Sequence, residues 1–254
     1  MKLEMFGLTE IPLVVEGDNL VELILSSLKK QKNSLKEGDV ILIAETLISK
    51  VEGNYIDLKK INPSLEAKKI AEKSNKDPKL VESIIKESKE IIAIGHNFII
   101  SETKHGFVCA NAGIDESNVE DGLATPMPIN PDKSAQKIYK SLKNKTEKEI
   151  GVIITDTQGR AFRNGAVGVA IGCSGIKPLW ERIGEKDLYG RSLQTTEIAI
   201  ADELAASASL LMGQADEGIP IVIIRGFSNF DKLKDSQSNI KPLIRAKELD
   251  IFRK

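Results

Sequence analysis

Gly38-Asp-Val-Ile-Leu-Ile-Ala44 is an almost unbroken apolar run opened by a glycine. A strand with one wet face alternates polar and apolar side chains, whereas a strand covered on both faces need not, so Asp39–Ala44 reads as a buried core strand. Gly151-Val-Ile-Ile-Thr155 and Ile219-Pro-Ile-Val-Ile-Ile224 have the same character, and Leu3–Phe6 reads as a further short strand. Such strands need layers on both faces, and helical patterns supply them. Asp18–Lys30 carries apolar residues at Leu20, Leu23, Ile24, Leu25 and Leu28. Asn62-Pro63, Asp77-Pro78 and Asn130-Pro131 each predict a helix start, because an Asx side chain caps the first free amides and proline at the next position costs no hydrogen bond. The last of these runs to about Lys145. Between the second and third lie the extended runs Ile91–Ile94, Phe98–Ile100 and Phe107–Ala110. Ala166–Gly172 is a glycine-laced extended segment, a pattern that means close backbone approach or a bulge. Thr195–Met212 is the longest helical pattern, and the polar tail after Phe227 has only a weak one near Leu243–Leu249. Without a regular βαβ period a plain dinucleotide-binding sheet is not expected. The class is mixed α/β (α+β), a multi-strand mixed sheet with packed helices. Residues 1–254 read as one domain. The Asp-, Pro- and Gly-rich stretch Asn118–Pro131 is either a linker between two subdomains or an active-site loop, the loop being preferred.

The chain of 254 residues, 41% hydrophobic and 29% charged, is large enough for a core without disulfides or a structural metal. A net charge of −1 leaves no broad basic footprint, which argues against nucleic acid as a partner. Cys109 and Cys173 stand singly in apolar runs, so neither a zinc site nor an iron–sulfur cluster is expected, and two buried thiols suit a reducing compartment. The amino-terminal segment lacks an apolar stretch of signal-peptide length, and nothing approaches the roughly 20 apolar residues of a membrane span. The expectation is a cytoplasmic protein without a membrane.

No P-loop, nucleophile elbow or Cys/His pair is present, and the glycines at 165, 168 and 172 do not have dinucleotide-binding spacing. Two acidic positions draw attention through what precedes them. Asp156 follows the run GVIIT, where a carboxylate at a core-strand end suits a hard cation. On spacing alone it serves equally well as a turn or helix cap. Asp115 follows an extended run that turns through Gly113 and delivers Asp115 and Asn118 into a loop, where a solvated turn is the plain alternative. Two such carboxylates converging on one metal would neutralise phosphate charge. Ser49 and Lys50 follow the first core strand and suit phosphate contacts, although a surface lysine is the commoner finding. Arg160, Arg163, Lys177, Arg182 and Arg191 suit a small anion, and each singly also suits a solvated surface. His96 and His105 have no partner spacing.

These blocks resemble the coenzyme F420-0:L-glutamate ligases, the gamma-glutamyl ligases of F420 biosynthesis. The resemblance runs from Ile11-Pro-Leu to Arg225-Gly226. It is carried by Ile48-Ser-Lys50 with Glu52-Gly53, by Asn111-Ala-Gly-Ile-Asp115-Glu-Ser-Asn118, and by Gly151-Val-Ile-Ile-Thr-Asp156-Thr with Arg160 and Phe162-Arg163. Ala170-Ile-Gly172, Asp187-Leu-Tyr-Gly-Arg191, Ala201-Asp-Glu and Leu211-Met-Gly213 continue it. It implies an intertwined homodimer of unusual mixed α/β fold that uses GTP as co-substrate, with two divalent-metal sites taking Mg²⁺ or Mn²⁺, and K⁺ as a further candidate ion. By similarity Asp115 and Asp156 bind the first metal and Thr157 the second, and Ile11, Pro12, Leu13, Val14, Glu45, Thr46, Lys50 and Asn118 contact the nucleotide. Gln214 stands where the family has a carboxylate ligand for the second metal, so it would coordinate without bringing charge. Glu45 stands where a small hydroxyl residue would be unsurprising.

The implied reaction has the terminal carboxylate of F420-0 take the γ-phosphoryl group of GTP, and the glutamate amine then attack the acyl phosphate, once or twice. Asp115, Asp156 and Lys50 are the expected catalytic residues. Arg160, Arg163 and Arg191 are the expected contacts of the anionic substrates. Two rivals are kept: a metal-dependent ligase or phosphotransferase acting on another carboxylate, and a nucleotide-binding module without catalysis.

Overall fold

The computed structural model describes residues 2–253. In chain order the strands and helices are β1 (Glu4–Gly7), α1 (Leu20–Lys30), β2 (Val40–Ala44), α2 (Glu45–Val51) and β3 (Ile56–Asp57). Next come α3 (Leu65–Ser74), α4 (Pro78–Glu87), β4 (Ser88–Gly95), β5 (Phe98–Thr103), β6 (Val108–Ala110) and β7 (Leu123–Ala124). α5 (Pro131–Thr146), β8 (Gly151–Arg160) and β9 (Arg163–Ile176) follow, then β10 (Trp180–Glu181), β11 (Glu197–Ile198), α6 (Ile200–Met212), β12 (Ile221–Arg225), α7 (Phe230–Leu233) and β13 (Lys234–Asp235).

The main sheet has the order β1-β12-β2-β8-β9-β13, and within it β2 and β8 run parallel while the other pairs are antiparallel. Alternate side chains of the apolar strands enter two separate cores. Ile41, Ile43, Val152, Ile154 and Ile223 pack with Ile24 and Leu28 of α1 and with Ile138 and Leu142 of α5. Val40, Leu42, Ile153, Val222 and Ile224 pack with Ala201, Leu204, Ala205 and Ala208 of α6. That two-sided cover is why the strand sequences do not alternate.

Residues 56–124 form an insertion of α3, α4 and the sheet β4-β5-β6, with its own apolar cluster around Ile70, Val81, Ile84 and Ile99. β7 pairs with β3 and ties its two ends together. Among the described residues no helix is long and apolar enough to cross a membrane.

Asp77 and Asn130 cap α4 and α5 as expected, accepting from the amides of Lys79 and Lys133 at 2.6 and 2.9 Å. The Asn62-Pro63 expectation is corrected. α3 starts at Leu65, because the hydroxyl of Ser64 takes the capping role, accepting from the Ala67 amide at 3.1 Å. Asn19 caps α1, which therefore begins at Leu20 rather than Asp18. α6 begins five residues later than its periodicity suggests, because Glu197 and Ile198 pair with Glu181 and Trp180. β8 does not stop at Thr155: its hairpin with β9 carries it to Arg160.

The glycine-laced run holds both features its sequence suggests. Ile154 pairs with Gly172 and Thr155 with Ala170, leaving Ile171 as the extra residue of a bulge. A Cβ on Gly168 would lie 2.4 Å from the carbonyl oxygen of Ala205 in α6, and one on Gly172 would lie 2.5 Å from the backbone of Pro131 in α5. Both helices approach the sheet through these gaps.

Candidate active site

The parallel pairing of β2 with β8 decides where the acidic side chains meet. Ala44 is in register with Thr155, so the next residues, Glu45 just past the end of β2 and Asp156 within β8, come side by side. Glu45 opens α2 and is only 4% exposed. Asp156 lies within β8 rather than at its end, two pairs from the bulge, which corrects the strand-end expectation.

The third carboxylate comes from the insertion. After β6 the chain turns through Asn111 and Ala112, both with left-handed backbone (φ 55° and 56°). Asp115 then exchanges backbone hydrogen bonds with Thr125 at 2.9 and 2.8 Å. Its carboxylate accepts from the Ser117 amide at 2.8 Å and from the Ser117 hydroxyl at 2.6 Å.

These three groups line one cleft of about 800 Å³, within the range of roughly 300–1,000 Å³ usual for small-molecule sites. Ile11, Pro12, Leu13, Val14, Thr46, Lys50, Asn118, Thr157 and Gln214 line the same cleft. Arg160 and Arg163 do not; they pair with each other one step beyond Gly159 and Ala166, which do. Arg191 sits in an exposed turn closed by Asp187, whose carboxylate accepts from the Arg191 amide at 2.9 Å.

Burial raises the Asp156 pKa to about 6, and the charge of Asp115 adds to the rise. Hydrogen bonds from Gln158 Nε2 at 2.9 Å and the Thr157 amide at 2.6 Å work against it. Glu45 is raised well above the usual carboxylate range, first by burial, then by Asp156 and Asp115, and its Oε2 has no hydrogen-bond partner. Burial, with Asp156 and Glu45, pushes the Cys109 thiol up to about 12, leaving it protonated although it lines the cleft. Lys50 is half-buried, which lowers its pKa, while Asp115 opposes the shift; its ammonium donates to the Asn118 carbonyl.

Four lining residues are acidic (Glu45, Asp115, Asp156 and Asp216), while Lys50 is the one Lys, Arg or His among the described residues there. Such a cleft repels a polyanion unless cations enter with it. Its donors are oxygens: two carboxylates, the Thr157 hydroxyl and the Gln214 amide, whose nitrogen donates to Thr157 Oγ1 at 3.1 Å. This set fits hard cations such as Mg²⁺ or Mn²⁺. Among the described residues no three His, Cys, Asp or Glu side chains cluster tightly enough to hold an ion by themselves. Neutral oxygens, water or substrate phosphate would have to complete the shell, the usual arrangement for Mg²⁺.

The family motifs imply a nucleotide contact for Glu45; the structure shows it in addition as a buried carboxyl beside Asp156. The available signal was that two apolar runs end alike, in Ala44-Glu45 and Thr155-Asp156, and would align if paired in parallel. Asp216 carried no signal of its own.

Comparison with known proteins agrees with the resemblance read from the motifs. The family described as F420-0:Gamma-glutamyl ligase matches residues 9–226. The chain is 59% identical over 253 residues to the coenzyme F420:L-glutamate ligase of Methanothermobacter thermautotrophicus, covering 100% of both chains. It is 55% identical to the protein of that name from Methanocaldococcus jannaschii, covering 99% of this chain and 97% of the other. It is 42% identical to that of Archaeoglobus fulgidus, covering 100% and 98%. With most of its length matched and its cleft lined by the residues that carry the motifs, this chain belongs to the F420-0:gamma-glutamyl ligase family.

Proposed function

We propose that the protein is a ligase that uses GTP to join L-glutamate to the terminal carboxylate of coenzyme F420-0, with a second, γ-linked glutamate as a further product. The names of the full-length relatives support the ligase reading. The observation that carries the nucleotide part is the acidic cleft: four acidic side chains and one lysine among its lining suit a triphosphate that arrives with divalent cations.

Asp115 and Asp156 would hold the first cation, Thr157 and Gln214 the second, and K⁺ is a further candidate there. Bound Mg²⁺ or Mn²⁺ supplies neutralisation of phosphate charge. The chain's own residues position the reactants. Ile11, Pro12, Leu13 and Val14, with Glu45, Thr46 and Asn118, form the wall offered to the nucleotide. Lys50, tethered to the Asn118 carbonyl, is the cleft's own positive charge.

An acceptor carboxylate oxygen attacks the γ-phosphorus, the bond to the β-phosphate oxygen breaks, and GDP leaves with the electron pair. The glutamate amine attacks the acyl carbon and loses a proton, and phosphate departs with the C–O electron pair. Amide formation from a free carboxylate in water is uphill, which is why the acceptor is phosphorylated first. Catalysis here is positioning and charge stabilisation. Arg160 and Arg163, just beyond the cleft rim, are assigned to substrate anions; Arg191, in a turn that does not line this cleft, is given no contact there. A cytoplasmic homodimer is the proposed working form.

The test is mass spectrometry of F420-0 incubated with glutamate, GTP and Mn²⁺, beside controls with ATP or with EDTA. A product heavier by one or two glutamyl units, formed with release of GDP and lost with EDTA, is the expected result. No mass gain sinks the ligase reading. Equal gain with ATP removes the GTP assignment. Parallel incubation with other carboxylates decides between this acceptor and a different one.

A further inference from the structure

The β8–β9 hairpin leaves the cleft rim at the pair Gly159–Ala166 and turns at Arg160-Ala-Phe162-Arg163. Phe162 is 89% exposed at this tip, in a chain that has only seven phenylalanines to spend on its core. Its φ is +61°, left-handed backbone that a bulky L residue adopts only under strain. Its one aromatic neighbour among the described residues, Phe252, lies at 5.6 Å between ring centroids and leaves most of the ring uncovered.

Arg160 donates to the Asn164 carbonyl at 3.1 Å, and its Nε is buried without a partner. Arg163 is exposed. The arginine–carboxylate pairs among the described residues involve Arg182, Arg225 and Arg253, so neither tip guanidinium is neutralised. Tyr189, 90% exposed near Arg191, repeats the chemistry, but no residue of its turn lines the cleft.

We propose that Phe162 is a specificity-determining residue for the acceptor: its ring stacks on a planar aromatic system of that molecule, and Arg160 and Arg163 hold an adjacent anionic group. The acceptor's carboxylate then reaches down the hairpin into the acidic cleft. A strained, solvated phenylalanine between two arginines that lack carboxylate partners is costly as packing and well suited to a flat anionic ligand. The inference rests on the ligase reading for the acceptor's identity.

The strain supplies a clean variant. Phe162→Gly relaxes the left-handed backbone and deletes the ring, so lost affinity in it cannot be blamed on misfolding. In steady-state assays with F420-0 it raises the acceptor KM about tenfold, the scale of one lost aromatic stack, and leaves the KM for GTP unchanged. Phe162→Trp restores the acceptor KM. An acceptor fragment that keeps the carboxylate and phosphate but lacks the ring gives the same KM with wild type and Phe162→Gly.

The inference is overturned if Phe162→Gly keeps the wild-type acceptor KM, if the KM for GTP rises equally, or if the tryptophan variant fails to rescue. Should the wild type transfer no glutamate to F420-0, the ligase reading falls on its own. The tip is then judged by titration with riboflavin 5′-phosphate, a planar ring bearing an anion: weaker binding by Phe162→Gly sustains it, and equal or absent binding ends it.

Discussion

At position 156 a carboxyl sits inside a core strand with its pKa raised to about 6 by burial and by Asp115. A carboxyl raised in the folded state binds its proton more tightly there than in the unfolded chain. The stability this confers is fully present below pH 4 and is lost as pH rises through 6. From the shift of 3.8 to about 6, the ionised form costs roughly 3 kcal/mol at neutral pH. Asp156→Asn should therefore raise the melting temperature of cation-free protein at pH 7.5, and the gain should vanish near pH 4. The variant should lose turnover, and it should lack the melting-temperature increase expected when Mg²⁺ or Mn²⁺ is added to the wild type. Calorimetry across pH, with and without Mn²⁺, reads all three; retained activity or retained cation stabilisation contradicts the assignment. Asp115 and Asp156 could be singled out in the sequence because each follows an extended run. The two apolar runs that end in Glu45 and Asp156 look alike in the sequence, but that they lie side by side across 111 residues is set by the parallel pairing of their strands, which neither run specifies locally.

The helices lie against β9 through two missing side chains. Gly168 sits under the Ala205 carbonyl of α6, and Gly172 under Pro131 at the start of α5. Neither obstacle is the flexible end of a side chain, so an added methyl must push a helix away from the sheet. Gly168→Ala should lower stability by about 1–3 kcal/mol, read from the urea midpoint. Gly159→Ala meets nothing within 4 Å and should stay within about 0.5 kcal/mol of wild type. Equal midpoints for the two variants would refute close helix approach as the reason for the glycines. At this scale periodicity and capping residues located most elements well. They failed where a non-local pairing or a competing cap won: Ser64 displaced the Asn62-Pro63 start, and the β10–β11 pair shortened α6.

For the whole molecule, Arg225 at the end of β12 clamps the opening of β2 and the loop before it. Its guanidinium donates to both carboxylate oxygens of Asp39 at 2.9 and 2.7 Å and to the Ser34 carbonyl at 2.8 Å, over the Phe6 ring. Asp39 is wholly buried, so Arg225→Ala strands its charge and should cost about 3–5 kcal/mol. Chemical denaturation measures this, and a loss under 1 kcal/mol would mean that water replaces the clamp. The sequence by itself determined the mixed α/β class, the apolar strands of a two-faced core, two of three proline-opened helix starts, the family, and, through the family's motifs, the residues Ile11–Val14, Glu45, Thr46, Lys50, Asp115, Asn118, Asp156, Thr157 and Gln214 that line the cleft, but not Asp216 beside them. Those properties are written in composition, local periodicity and motif order. Only the tertiary structure decided that Glu45 lies buried beside Asp156, that Arg160 and Arg163 stand beyond the rim, and that Phe162 is presented on a strained tip. Each of these follows from strand register, a bulge or a hairpin length, and the energy that selects them is summed over contacts between distant parts of the chain.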